Sequence, residues 1–179
     1  REGWIAKKDV LSIQGRGRLA QLALAEELSI VDFPSPAGGC LLTDRNYCLR
    51  LRDLQKHHQD NLHSIELLAY GRHFRLTKEA KLIIGRDEAE NETLRHIFQE
   101  GIMLEAEDYT GPLGFITGKL NLETLDLALS IFILYHPKAP IYSTIDVWRI
   151  NDNKITGKMI KIATKGDREI IKKHLISDL

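Results

Sequence analysis

Cys40 is the side chain whose surroundings best fit a nucleophile, because it closes the run Pro34-Ser35-Pro36-Ala37-Gly38-Gly39-Cys40. The two glycines let the backbone bend sharply and expose the thiol. Arg45 and the start of a helix just beyond would favour the thiolate, which is the reactive form. The competing reading is a small buried residue packed after a turn. Cys48 stands beside Tyr47 and Leu49 in a helical stretch and reads as core. Two cysteines eight apart, neither in a CxxC pair, fit a reducing cytoplasm better than a disulfide framework. No metal site is assigned.

Other catalytic signatures are absent. The sequence holds no GxxxxGK[ST] loop, no GxGxxG, no HExxH, no nucleophile elbow and no Ser-Gly-Gly-x-Asp-Ser loop. Chemistry driven by ATP therefore cannot be run by this chain alone. Cationic clusters offer a second kind of chemistry. Gly15-Arg16-Gly17-Arg18 precedes a helix, where exposed backbone N–H groups could hold an anion or simply turn the chain. Arg45, Arg50, Arg52 and Lys56 decorate a second helix, as a polyanion-binding face or an ordinary solvated one.

The bulk numbers bound the answer. With 179 residues there is room for one large domain or two small ones, and 43% apolar residues suffice for a core. Lys plus Arg number 25, as do Asp plus Glu, so any nucleic-acid affinity must come from a local face. No apolar run reaches the ~18 residues of a membrane span, and the start carries no signal pattern. The chain opens on Arg1 without an initiator Met. An incomplete piece of a soluble cytoplasmic protein is expected.

Periodicity places the elements. A helix is expected over residues 8–28, a break over 30–43, and a helix over 46–57 capped by Asp44 or Asn46. A polar linker and domain boundary are expected near residues 59–64. Beyond it the texture is strand-rich. Short strands are expected at 66–70, 73–76 and 80–85, then a helix at 87–99, strands at 102–104 and 113–116, and a buried helix at 122–135. Strands at 143–149 and 159–162 follow around a polar turn at 151–154, and a helix at 167–176 closes the chain. The fold class is α+β, with a helical N-terminal segment followed by a strand-rich, sandwich-like α/β domain.

Two resemblances sharpen this. Gly3-Trp4-Ile5, Ile13-Gln14-Gly15-Arg16-Gly17-Arg18, the string from Pro34 through Cys40-Leu41-Leu42-Thr43-Asp44, and Leu51-Arg52-Asp53-Leu54 resemble the distal part of PP-loop proteins. That family comprises tRNA thiouridylase-like sulfurtransferases, some labelled for thiamine biosynthesis. Gly71-Arg72-His73-Phe74-Arg75-Leu76, residues 81–91 and residues 107–112 resemble the NFACT-R RNA-binding domain, with Asp87 where that pattern has Asn and Thr110 where it has Pro. The implied division is residues 1–60 as the end of a PP-loop domain and residues 61–179 as an NFACT-R-like domain.

The resemblances imply a parent enzyme that uses ATP and Mg to adenylate a base in tRNA. Cys40 would deliver sulfur received from a persulfide donor protein, while the fragment itself holds no cofactor. They also imply RNA contacts from Arg72, His73, Arg75, Arg86 and Asn91, alongside Arg16, Arg18, Arg45, Arg50 and Arg52, with stacking from Tyr70 or Phe74. The alternatives are a non-catalytic module that binds tRNA or ribosome, and sulfur transfer to thiamine precursors.

Overall fold

The computed structural model describes residue 13, residues 18–31 and residues 40–177. The chain divides into two compact units, Arg1–Gly39 and Cys40–Leu179. In the first, the described part holds one helix, α1 (Leu19–Glu27), none of whose residues is buried. It is the regular part of the helix expected over 8–28. Most of the earlier residues of that span lie outside the described set, as do residues 32–39 ahead of Cys40.

The second unit is α+β. A single 3-10 turn, Leu41–Thr43, leads into α2 (Arg45–Lys56) and α3 (Leu62–Leu67). The strands are β1 (Arg72–Arg75), β2 (Ala80–Ile84), β3 (Gly101–Ala106), β4 (Gly114–Gly118), β5 (Tyr142–Asn151) and β6 (Lys154–Thr164). Helix α4 (Glu88–Ile97) joins β2 to β3, α5 (Leu122–Leu134) joins β4 to β5, and α6 (Arg168–His174) follows β6. The strands form one antiparallel sheet in the order β1-β2-β4-β3-β5-β6.

Each face of the sheet carries its own core. Helix α5 reads apolar on most of its surface and buries seven residues, including Leu129, Phe132 and Ile133. It packs with Leu82, Ile84, Leu104, Ile116 and Val147 on one face. Leu67, Leu94 and Phe98 cover Ile83, Met103, Phe115 and Ile150 on the other. Strand β2 lies between these layers with all five residues buried, Lys81 among them. Burying each such large side chain contributes about 1.5–3 kcal/mol.

Residues 66–70, expected as a strand, instead end α3 and the turn after it. The run Glu66-Leu67-Leu68-Ala69-Tyr70 is too short for its period to separate strand from buried helix. Asn61 decides the matter by accepting a hydrogen bond from the Ser64 amide at 2.9 Å, capping the helix. The stretch expected as a linker is also engaged: Gln59 donates to the Glu79 carbonyl at 2.9 Å and accepts from Arg75 at 2.8 Å. Helix α2 is bonded to the sheet through Asp53, whose carboxylate receives Arg75 Nε at 3.2 Å and Arg75 Nη2.

The β5–β6 ribbon is longer than expected. Its turn places Asp152 and Asn153 at φ 48° and 57°, the two left-handed residues of a turn whose twist matches the flanking strands. Asn151 faces Lys154 across it, and β6 ends the sheet as an edge strand.

Candidate nucleic-acid interface

Two surfaces of the second unit differ sharply in charge. The first is a groove of about 830 Å³ between the start of α4 and the loop joining β3 to β4. Asp87 opens α4 by accepting from the Glu90 amide at 2.9 Å. Gly85 lies against Asn91, whose Oδ1 occupies the space a Cβ would take. That same Oδ1 accepts from the Leu113 amide at 3.0 Å, so Asn91 pins the loop to the helix. The groove's charged lining is dominated by carboxylates, with Arg86 and Arg95 as its cations. Arg86 pairs with Glu90 at 3.0 Å, and Arg95 approaches Glu105 at 3.6 Å. Between Arg86 and Pro112 the sequence has two cations and eight carboxylates, a balance that repels phosphate.

The cations expected to face RNA from β1 are turned to internal partners. Arg72 stacks over the Tyr135 ring at 5.1 Å and donates to the Gly85 carbonyl at 3.3 Å. His73 is fully buried and donates through Nε2 to the Tyr70 carbonyl at 2.8 Å. Burial, with Lys81 and Arg50 nearby, holds its pKa well below the usual histidine value. Arg75 is held by Asp53 and Gln59. Phe74 is fully buried, packed edge-on against Tyr135, so it does not stack on a base. Tyr70 is half-buried beside the core of α3 and α4.

The N-terminal candidates divide. Arg16 lies outside the described residues. Arg18 is exposed ahead of α1, and Arg45 and Arg52 are exposed on α2. Arg50 is buried, donating to the Leu68 carbonyl at 2.8 Å, and burial lowers its pKa. Cys40 is exposed, with its carbonyl receiving the Thr43 hydroxyl at 2.8 Å. Cys48, expected in the core, is only half-buried and donates to the Leu42 carbonyl at 3.1 Å. Among the described residues no cluster of His, Cys, Asp or Glu could hold a metal ion, and no helix is long and apolar enough to cross a membrane.

The second surface is the ribbon of β5 and β6, whose RNA-contacting potential sequence reasoning missed. Lys158 sits opposite Trp148, its Nζ 4.4 Å from the indole centroid and 2.8 Å from Asp146 Oδ2. By register, Tyr142, Asp146 and Trp148 share one side with Lys158, Ile160 and Ile162. That side is open to solvent at Tyr142 and along β6, with Tyr142 67% and Ile162 75% exposed, whereas Asp146 is buried and Trp148 packs partly against the core. Arg149 and Lys161 alternate to the other side, and Lys154 stands at the turn. The ribbon thus carries four cations against two carboxylates, one of which, Asp146, is buried and paired with Lys158. The available signal was a basic, alternating segment containing Trp and Tyr.

A family model described as the NFACT protein RNA binding domain matches residues 71–175. No curated protein matches the chain. Among solved structures, the C-terminal of the fibronectin/fibrinogen-binding protein from Streptococcus suis matches with a TM-score of 0.50 at 14% identity, covering 73% of this chain and 68% of that one. At that identity the likeness is one of fold.

Proposed function

The chain belongs to the family of NFACT protein RNA binding domains, and on that premise we propose that it is a non-catalytic module that binds RNA, tRNA included, along the β5–β6 ribbon. The observation that carries the reading is the partition of charge. The groove beside α4 is rich in carboxylates, whereas the ribbon offers cations around exposed aromatic and apolar side chains. Lys158 is held by Asp146 and Trp148, which fixes its place on the ribbon. Lys154 stands at the turn and Arg149 and Lys161 line the ribbon's other side, while Tyr142 offers a ring to an unpaired base.

Binding of tRNA, and of a single-stranded RNA of equal length, is expected at low salt and to weaken as salt rises. Lys154→Glu with Lys161→Glu should lower the affinity for both and reduce the slope of log K against log salt by about 2. Unchanged affinity in this variant would move the interface elsewhere, and no affinity at low salt would remove the RNA-binding function.

A second reading keeps sulfur chemistry in a parent protein, with residues 1–60 completing a PP-loop domain that uses ATP and Mg, and Cys40 taking sulfur from a persulfide donor. The exposed thiol of Cys40 favours it. The family match lends it no support, since that match begins at Gly71. On this reading, Cys40→Ser in the full-length protein abolishes the thiolated nucleoside of tRNA. Unchanged thiolation would exclude Cys40.

A further inference from the structure

A cleft of about 140 Å³ opens between α2–α3 and the sheet at β1, β2 and β4. At ~30 Å³ per water it has room for four or five waters, or for one five-atom oxyanion. Its lining includes two buried nitrogen-bearing side chains, Lys81 and His73, with Asn61, Ser64 and Thr117 beside them. We propose that this cleft binds a small tetrahedral oxyanion, a phosphate-type group whose charge lies against the Lys81 ammonium while a protonated oxygen donates to His73 Nδ1.

Three observations converge on it. First, Lys81 is 3% exposed, yet the carboxylate nearest its Nζ, Asp53 Oδ2, lies at 3.7 Å, longer than a hydrogen bond. Asp53 gives both its oxygens to Arg75 instead. A buried ammonium so weakly met is costly unless something else satisfies it. Second, His73 is fully buried and its Nδ1 has no hydrogen-bond partner. Because Nε2 donates to the Tyr70 carbonyl, Nδ1 of the neutral ring is an acceptor. Donor and acceptor thus lie together, which suits a partly protonated phosphate. Third, the charge around the cleft is unbalanced. Arg50 and Asp53 approach Lys81 from α2 and Arg75 from β1, so Lys81 faces two cations and one carboxylate, although Arg50 is also met by Asp44 and Glu90. His57 also lies 3.8 Å from Asp53, but burial and Arg75 lower its pKa and favour its neutral form.

The site has a pH signature. Burial, against the opposing pull of Asp53, brings Lys81 to about 7. An anion beside it raises that value again, so binding takes up a proton above pH 7 and weakens as pH rises. For an anion of fixed charge the fall approaches about tenfold per pH unit from roughly one unit above 7.

The proposal stands independently of RNA binding by the ribbon. Inorganic phosphate and sulfate are titrated into the full chain while the Lys81 and His73 resonances are followed by NMR. Saturable shifts at both residues are expected, with phosphate tighter than sulfate, because sulfate near neutral pH has no proton for His73. Sulfate, whose charge is fixed across this range, reads the pH dependence. Lys81→Met, similar in length and apolar, should abolish binding. The wild-type resonances test the site even if that variant fails to fold. No saturable shift at either residue, or binding that survives Lys81→Met, overturns the site. A 5′-phosphorylated RNA compared with its 5′-hydroxyl form separates the two sources. Preference for the phosphorylated RNA, lost in Lys81→Met, identifies a nucleic-acid end; equal binding alongside saturable inorganic phosphate identifies the free anion.

Discussion

Asp53→Asn is expected to destabilise the chain by about 3–5 kcal/mol, measured by urea unfolding. Asp53 receives Arg75 and faces the buried Lys81, while α2 depends on it for its bond to the sheet. The amide keeps the shape and removes the charge. Lys81 can respond by shedding its proton, since its pKa is already about 7. Arg75 cannot, and is left half-buried without its counter-ion. A loss under about 1 kcal/mol would mean the pair behaves like an exposed surface pair.

The sign of the pH dependence follows from Lys81. Its folded pKa lies below its ordinary value of 10.5, so between about 7 and 10.5 the unfolded chain binds a proton that the folded chain does not. This group therefore makes stability rise with pH across that window. Without Asp53 the folded pKa falls further, and the window opens at lower pH.

Phe132→Ala should cost about 3–5 kcal/mol with an unchanged denaturant slope. Phe132 is fully buried in α5, where it fills the space left by the absent side chain of Gly114. A Cβ there would lie 2.9 Å from the Phe132 ring. The ring also packs against His136 at 4.6 Å between centroids. Phe132→Leu keeps most of the volume and should cost under about 1.5 kcal/mol. Equal losses in the two variants would show that the site tolerates a void and that the ring itself is not filling it.

The fold was largely readable because burial leaves periodic traces. The apolar surface of residues 122–135 marked α5, and the run at residues 80–85 marked a strand, which proves to be buried on both faces. Residues 66–70 were misread because a two-leucine run has no measurable period. The site was less legible. A cation in sequence shows its charge but not its partner, and Arg75 meets Asp53 from 22 residues away. Lys81 inside an apolar run gave a trace of the phosphate cleft, but its neighbours His73 and Thr117 come from other strands. The Trp148–Lys158 pair depends on the register of a ribbon whose second strand reads as only four residues in sequence and spans eleven in the structure.

The open edge of β6 also bears on how copies of this chain behave when crowded. An eleven-residue edge without proline, carrying exposed Ile155, Met159, Ile160 and Ile162, is a template on which a second strand could grow. Lys154, Lys158 and Lys161 are the gatekeepers along it, keeping neighbouring chains apart by charge repulsion. Acetylation of these lysines would remove that repulsion while leaving the core intact. Two native chains could then pair edge to edge, β6 on β6, without first unfolding, while the other edge of the sheet stays covered by Leu175 and Ile176 against β1.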